Sequence, residues 1–240
     1  MRNRMNRMNR NVTNKVNRLL DHWIPPAIRD SRLFAVIAFR LVLGKKYAYY
    51  LEFKRKAPFL SEKDINKYYE ILKETFIVRD TDCNRSTVKR IIKEAVGPKI
   101  LDAASGRGYM AMRLFQEDSN LECTAADIVL PDKRTRYPGL NYIAASVTNL
   151  PFEDQEFDTV ICTHAIEHIK DGKKAVSELR RVCKQKLIIV VPRQREYSYT
   201  FDLHLNFFPY QYDVENFMGA GRMSVELLDN DWICIEKMDI

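Results

Sequence analysis

The segment Ile100-Leu-Asp-Ala-Ala-Ser-Gly-Arg-Gly-Tyr109 decides the fold. A short apolar run ends at Asp102, a loop of small residues follows, and a helical pattern begins at Tyr109. Small residues let a backbone approach a ligand closely, and the N–H groups at the start of a helix attract polar or anionic atoms. Turns of this kind also occur as purely structural elements, so the neighbouring segments decide what this one means.

Apolar runs of five to eight residues recur after Pro98, and helical or loop segments such as Tyr109–Glu117 and Lys173–Cys183 separate them. This alternation predicts parallel βαβ units in a doubly wound sheet. The last two runs flank Asp229-Asn230-Asp231, a turn signal that predicts an antiparallel hairpin. The expected fold class is α/β, a Rossmann-like and mostly parallel sheet with a C-terminal antiparallel hairpin and an α-helical N-terminal extension. The runs are KILDAAS, LECTAADI, LNYIAAS, FDTVICTH and KLIIVVP, followed by RMSVELL and WICIEKM.

Polar or small groups follow the predicted strands at the point where each one ends. Asp127 ends the second strand, 25 residues after Asp102, and Ser146 ends the third. The fourth strand leads into Thr163-His-Ala-Ile-Glu-His168. Because open α/β sheets bind ligands at the carboxyl ends of their strands, we expect these groups to share one site, with Asp127 placed to bind ribose hydroxyls.

The order LDAASGRGY, AADI and ASVTNLPFEDQEFDTVICTHAIEHI resembles the class I S-adenosylmethionine-dependent methyltransferases. The resemblance is strongest to the group that includes ubiquinone and menaquinone biosynthesis methyltransferases, and it covers about residues 98–240. These motifs are specific for the superfamily but do not identify a substrate. The resemblance implies an enzyme that uses S-adenosylmethionine as its cofactor.

The resemblance also assigns roles to individual residues of the cofactor site. The loop after the first strand would frame the methionine part, Asp127 would hold both ribose hydroxyls, and Ile128 would pack on the adenine. Two positions depart from the family pattern: Ala104 replaces the first loop glycine, and Ser146 replaces an acid at the adenine edge. A Cβ at a position with positive φ costs about 1–2 kcal/mol. The implied cofactor-binding residues are Asp102, Ala104, Ser105, Gly106, Gly108, Asp127, Ile128, Ser146, Val147 and His164, the last beside the sulfonium.

Three histidines, His164, His168 and His204, are candidate general bases, with Glu167 and Asp202 as orienting groups. Glu167 and His168 also fit a structural role at the start of a helix. His204 follows the fifth strand, in a region that covers the acceptor pocket in related enzymes. No metal ligand set is predicted. Aromatic residues near His204 would either line an acceptor pocket or pack as an ordinary lid: Tyr197, Tyr199, Phe201, Phe207 and Phe208.

The charge of the chain is concentrated near its N-terminus. Residues 1–56 contain fourteen Lys and Arg against three acids, a charge of +11, and the other 184 residues carry −4, for a total of +7.

The N-terminal part of the chain is predicted to be helical. One face of the first predicted helix, which ends before Pro25, carries Val12, Val16, Leu19, Leu20 and Trp23. A second helix is expected over Leu33–Leu43, a third from a capping box at Ser61 to Phe76, and a fourth over Arg85–Ala95. Ser31 and Gly44 are the expected caps of the second.

We therefore predict a basic amphipathic helical extension over residues 1–60, a helical segment that packs on the core over 61–97, and a methyltransferase domain over 98–240. Three hypotheses explain the basic extension. Residues 12–56 would lie on an anionic membrane surface, or pack on the body as a lid or dimer contact, or bind nucleic acid, the least favoured of the three. The oligomeric state stays open.

The expected function is methyl transfer to an oxygen or carbon of a small or membrane-associated acceptor, such as a quinone precursor, a lipid or a lipid-linked sugar. An RNA methyltransferase that uses the basic arm and a non-catalytic cofactor-binding scaffold are the alternatives. Five cysteines without a CxxC pair predict reduced thiols. No apolar stretch reaches the ~20 residues of a membrane-spanning helix. The expected location is cytoplasmic, with peripheral attachment at the inner face of the membrane.

Overall fold

The computed structural model describes residues 23–72, 80–199, 202–219 and 223–238. The chain divides into two compact units. The helical unit comprises Met1–Arg79 together with Arg195–Leu205, and the sheet unit comprises Asp80–Gln194 and Asn206–Ile240. The helix expected over residues 12–23 lies almost wholly outside the described residues.

The described part of the helical unit contains α1 (Pro26–Arg29), α2 (Arg32–Leu43), α3 (Tyr47–Lys56) and α4 (Glu62–Leu72). The predicted caps of α2 are confirmed, since Ser31 Oγ accepts the N–H of Phe34 and Gly44 follows the last helical residue. Ser61 Oγ likewise accepts the N–H of Asp64 at the start of α4, while Phe76 lies outside the described residues. Helix α3 was not predicted, because no side chain caps its start and Gly44 reads as a stop.

The core of the helical unit is built mainly from aromatic side chains. The rings of Phe39 and Tyr50 meet edge to face, with centroids 6.1 Å apart. Leu203, which follows the fifth strand in sequence by more than ten residues, is fully buried in the same core. The segment 195–205 is therefore part of the helical unit, although its neighbours in sequence belong to the sheet unit. The buried members are Phe39, Tyr50, Phe53, Ala57, Leu72 and Leu203.

The sheet unit contains one seven-stranded sheet in the order β3-β2-β1-β4-β5-β7-β6. The first five strands in this order are parallel, and β7 lies antiparallel between β5 and β6. This confirms the predicted mostly parallel sheet with its C-terminal hairpin. The strands are β1 (Lys99–Ala103), β2 (Glu122–Asp127), β3 (Asn141–Ala144), β4 (Phe157–Thr163), β5 (Cys183–Pro192), β6 (Met223–Leu228) and β7 (Asp231–Lys237), and the helices are α5 (Arg85–Glu94), α6 (Tyr109–Glu117), α7 (Gly172–Val182) and α8 (Gln211–Met218).

Two details of the sheet differ from the prediction. Strand β5 begins at Cys183 rather than Lys186. The hairpin turn consists of Asp229 and Asn230 alone, both with positive φ, and Asp231 is already the first residue of β7. Two left-handed residues form the tight turn that matches the twist of the flanking strands. Helices cover both faces of the sheet, and fully buried residues such as Leu101 on one face and Ile161 on the other pack against them. All five cysteines are buried and free of disulfides.

Asn84 joins α5 to the hairpin, and its removal tests how much this junction stabilises the sheet unit. Its Oδ1 accepts the N–H of Thr87 at 2.9 Å, and its Nδ2 donates to Asp231 Oδ2 at 2.9 Å and to the carbonyl of Leu228 at 2.8 Å. We expect Asn84→Ala to lower the free energy of unfolding by about 2–3 kcal/mol in urea denaturation. The control Asp171→Ala removes only an exposed N-cap of α7 and should cost about 1 kcal/mol. Equal losses would contradict the role of the junction.

Candidate active site

The carboxyl ends of β1, β2 and β4 meet at one edge of the sheet. Asp102 pairs with Ala125 of β2 and with Ile161 of β4, so the loops that follow these strands leave the sheet side by side. This confirms that the chemistry-bearing segments predicted from the sequence converge at the edge where parallel sheets bind ligands.

Asp102 anchors the helix that follows the first loop. Its Oδ2 accepts the N–H of Ala111 at 3.1 Å, and the N–H of Met110 also interacts with this carboxylate. The first N–H groups of a helix have no partner inside the helix, so the carboxylate satisfies the start of α6. The side chain is almost fully buried. Burial raises the pKa of Asp102 to about 7, and the negative charge of Asp127 adds to the increase.

The loop between β1 and α6 turns through three left-handed residues. Ala104 has a φ of 53°, Gly106 of 57° and Gly108 of 82°. A Cβ on Gly108 would also lie 3.1 Å from the Tyr142 hydroxyl and 3.2 Å from the Cβ of Ala125, whereas Gly106 faces open space. Ala104 therefore carries the strain that the family's glycine avoids.

Asp127 connects β2 to this loop. Its Oδ2 accepts the N–H of Gly106 at 2.7 Å, and its Oδ1 accepts the N–H of Val129 at 3.1 Å. Burial raises the pKa of Asp127, and these backbone hydrogen bonds partly oppose the increase. The next residues, Ile128 and Val129, are 55% and 66% exposed. A carboxylate with further acceptor capacity therefore lies beside an exposed apolar surface.

Ser146 and Val147 form a tight turn after β3. Ser146 Oγ lies 2.8 Å from Thr148 Oγ1 and accepts the N–H of Thr148, and the carbonyl of Ser146 accepts the N–H of Asn149. Val147 is buried in the core of the sheet unit. The hydroxyl of Ser146 is thus engaged within its own turn.

His164 lies between two buried carboxylates just after β4. Its Nδ1 is 3.3 Å from Glu167 Oε1, and its Nε2 is 3.4 Å from Asp231 Oδ1. Burial by itself would lower the pKa of His164, but its interactions with Asp231, Cys83 and Glu167 outweigh burial and hold the pKa well above the usual range. The two carboxylates therefore favour the protonated form of the imidazole. Sequence reasoning missed Asp231, because it reads as the third residue of a turn.

The other two histidines lie in different units. His168 ends a short 3-10 turn, Ile166–His168, in the sheet unit. His204 is buried and belongs to the helical unit.

Asn206 stabilises the 3-10 turn Ile166–His168, a role that the sequence did not indicate. Its backbone N–H donates to the carbonyl of Glu167 at 3.0 Å, and its Nδ2 donates to the carbonyls of Ile166 and Ile169 at 2.9 and 2.8 Å.

The aromatic residues proposed for an acceptor pocket are also divided between the units. Tyr197 and Tyr199 belong to the helical unit, and Phe207 and Phe208 to the sheet unit. Phe208 is buried against Phe217, with ring centroids 5.1 Å apart. Phe201 lies outside the described residues. Phe208 thus serves the core of the sheet unit.

Residues 101–191 match a family model described as a methyltransferase domain. The sheet unit therefore contains a methyltransferase domain of the class I S-adenosylmethionine-dependent type. It resembles the quinone biosynthesis type, and its cofactor is S-adenosylmethionine. The methyltransferase domain includes every cofactor-site residue that the sequence predicted.

The chain is similar to named methyltransferases over part of its length. A demethylmenaquinone methyltransferase of Renibacterium salmoninarum is 28% identical over 131 residues, which cover 52% of this chain and 54% of the relative. A phthiotriol/phenolphthiotriol dimycocerosates methyltransferase of Mycobacterium tuberculosis is 30% identical over 93 residues, covering 37% and 34%. The chain thus spans about half the length of the first of these relatives.

A crystal structure from Pyrococcus horikoshii shares the fold. It aligns with a TM-score of 0.51 and 18% identity, and the alignment covers 72% of this chain and 99% of the other.

The methyltransferase edge fits the chemistry of its cofactor. Asp127 offers a carboxylate for hydroxyl donors, and Ile128 offers an exposed apolar surface for an aromatic base. Ser105 Oγ is buried without a hydrogen-bond partner within the loop, which is the position that the resemblance assigns to the methionine part. Buried polar atoms rarely remain unpaired, so this hydroxyl is available to a polar ligand.

Ala104→Gly tests the strain in the methyltransferase loop. Removing the Cβ relieves about 1–2 kcal/mol of left-handed strain, while glycine adds about 0.4–1 kcal/mol of entropy to the unfolded chain. We expect a net gain in unfolding free energy of about 0.5–1 kcal/mol, measured in urea. The matched control Gly106→Ala should shift stability in the opposite direction, because its φ is similar and the space around it is open. A loss of stability in Ala104→Gly would contradict the assignment of backbone strain to Ala104.

Asp102 makes stability fall as pH rises. Its pKa is about 7 in the folded protein, above the ordinary carboxyl value of 3.8, so the folded state binds the extra proton between these values. Its contribution is complete below pH 4 and lost as pH rises through 7, with a slope of up to about 1.4 kcal/mol per pH unit. We expect Asp102→Asn to flatten this fall in denaturation curves between about pH 4 and pH 7. Identical slopes of stability against pH in the wild type and in Asp102→Asn would contradict this role of Asp102.

Proposed function

We propose that the protein transfers a methyl group from S-adenosylmethionine to an oxygen or carbon of a small or membrane-associated acceptor. Quinone precursors, lipids and lipid-linked sugars are the proposed acceptor classes. The observation that carries the proposal is the arrangement of Asp102, the 104–108 loop and Asp127 at one edge of the sheet. The names of the similar proteins, which refer to a menaquinone precursor and to a dimycocerosate lipid, support the acceptor classes.

The protein's contribution to this reaction is mainly positioning. The bound cofactor supplies an activated methyl group on its sulfonium. Asp127 would accept hydrogen bonds from the ribose hydroxyls, and the strained loop would offer backbone N–H groups to the methionine part. Fixing two reactants in line is worth up to ~7–11 kcal/mol of the barrier.

A general base would add about 10²–10⁴-fold for an oxygen nucleophile. Both ring nitrogens of His164 face carboxylates, and these contacts raise its pKa, which makes the imidazole a poor proton acceptor. We assign His164 a positioning role after β4. His168 and His204 are then the candidate bases.

We also propose peripheral attachment at the inner, cytoplasmic face of a membrane. The described helices include none that is both long and apolar enough to cross a bilayer. Helix α2 exposes Leu33, Ile37 and Leu41, spaced four residues apart, beside the exposed Arg32 and Arg40. Apolar side chains flanked by cations suit an anionic interface. The reduced state of the five cysteines supports a cytoplasmic location.

Methyl-labelled S-adenosylmethionine incubated with host extract tests the function. We expect label from the wild-type protein in the organic phase. Asp127→Ala should weaken cofactor binding about 10–100-fold in calorimetry, since it removes charged hydrogen bonds of about 1.5–3 kcal/mol, and should abolish labelling at low cofactor concentration. Glu122→Ala, an exposed acid at the opposite end of the same strand, is the matched control and should match the wild type.

Two other outcomes would contradict the proposal. Label in the RNA fraction would indicate an RNA methyltransferase that uses the basic arm. Cofactor binding without transfer to any fraction would indicate a non-catalytic scaffold.

A further inference from the structure

Lys54 binds the start of the segment 195–205 to the helical unit. Lys54 Nζ donates to the carbonyl of Tyr197 at 2.5 Å and pairs with Glu196 Oε1 at 2.7 Å. At the other end of the segment, Leu203 is fully buried in the aromatic core of the unit. The segment is therefore held by both polar and apolar contacts.

Residues that immediately precede α2 hold the same segment. The guanidinium of Arg29 lies 4.5 Å from the ring centroid of Tyr197, and Asp30 Oδ1 accepts the N–H of Ser198 at 3.1 Å. Arg29 also pairs with Asp30 at 3.0 Å. Ser31, the next residue, is the N-cap of α2. The segment is therefore bound by residues that lie within three positions of the start of α2.

The segment is continuous with both sides of the methyltransferase edge. It begins three residues after Pro192, where β5 ends, and it ends at Leu205, one residue before Asn206. The three hydrogen bonds of Asn206 hold the turn Ile166–His168 in the methyltransferase domain. One peptide bond therefore separates the helical unit from the residue that braces this turn.

Helix α2 has a face suited to a lipid surface. Leu33, Ile37 and Leu41 form a straight stripe and are 72%, 54% and 81% exposed. The helix contains no acidic residue, and the exposed Arg32 and Arg40 lie along it. A bilayer would remove this apolar stripe from water, and its anionic phosphates would pair with the two arginines. An anionic bilayer therefore fits this face of α2 better than a protein partner of mixed charge does.

We propose that the helical unit docks on an anionic bilayer through the stripe Leu33–Ile37–Leu41, and that the segment 195–205 and Asn206 transmit this docking to the turn Ile166–His168. The inference rests on the proposed function, because it takes this turn to be part of the site of methyl transfer. Bilayer binding shifts the turn only if one arrangement of the segment binds lipid better than another. Asn206 acts as a positioning residue in this coupling.

Vesicle sedimentation tests the docking step. The full-length variant Leu33→Ser/Ile37→Ser/Leu41→Ser should bind vesicles of equal phosphatidylglycerol and phosphatidylcholine at least about tenfold more weakly than the wild type. Phosphatidylcholine vesicles should bind both proteins weakly. Tyr212→Ser, which removes a 56% exposed aromatic ring from α8, is the matched control and should bind as the wild type does. Equal vesicle binding, or a dimer that the triple variant converts to monomer in sedimentation velocity, would overturn the proposal.

Hydrogen exchange tests the coupling step. Anionic vesicles should change the exchange of amides in residues 195–199 and 166–169 at least about threefold in the wild type, and in neither region of the triple variant. Asn206→Asp keeps the side-chain size but removes the amide donor, so it should retain vesicle binding and the change in 195–199 while losing the change in 166–169. Asn206→Ala should behave in the same way.

The outcomes separate this inference from the proposed function. Vesicle binding without any change in exchange would overturn the coupling while leaving membrane attachment in place. An Asn206→Asp protein that keeps the full response in 166–169 would also overturn it. Neither measurement requires methyl transfer, so a wrong acceptor class would appear in the labelling experiment alone.

Discussion

The methyltransferase site depends on the unpaired N–H groups at the start of α6. A helix that begins directly after a buried strand must find acceptors for these groups without water. Asp102, the next-to-last residue of β1, provides an acceptor for these N–H groups, and its carboxyl group is buried as a consequence. This link fixes the spacing between strand and helix, so the loop 104–108 has to close through left-handed residues. The loop conformation then brings the N–H of Gly106 to Asp127.

This edge of the sheet also carries further carboxyl groups. Asp102, Glu167 and Asp231 are buried, Asp127 is half-buried, and the imidazole of His164 lies between Glu167 and Asp231. Burial raises the pKa of both Asp102 and Asp127. Such an edge favours a ligand that carries positive charge. S-adenosylmethionine, with its sulfonium and ammonium groups, meets that requirement, which ties the choice of cofactor to the way the fold satisfies α6.

The sequence was sufficient for the parts of the structure that depend on local pattern. Apolar runs bounded by loops predicted all seven strands, and the small residues after Asp102 predicted the first turn of the site. Partners distant in sequence could not be predicted in this way. Asp231 meets His164 from 67 positions away, and Asn206 braces a turn 40 positions earlier through backbone carbonyls. The segment 195–205 reads as part of the methyltransferase domain, because only the buried contacts of Leu203 and Tyr197 reveal that it folds with the helices.

The two left-handed residues Ala104 and His164 show how the fold tolerates strain where it binds ligand. Ala104 directly follows β1, His164 directly follows β4, and neither residue is a glycine. Such a conformation costs about 1–2 kcal/mol. At His164 the imidazole gains two carboxylate partners, and the backbone N–H of His164 donates to the carbonyl of Val190 at 2.9 Å. The methyl group of Ala104 forms no polar contact and packs against the core of the sheet unit. The strain at Ala104 is therefore balanced by this packing and by the hydrogen bonds of the loop, and it is stored where the cofactor must fit.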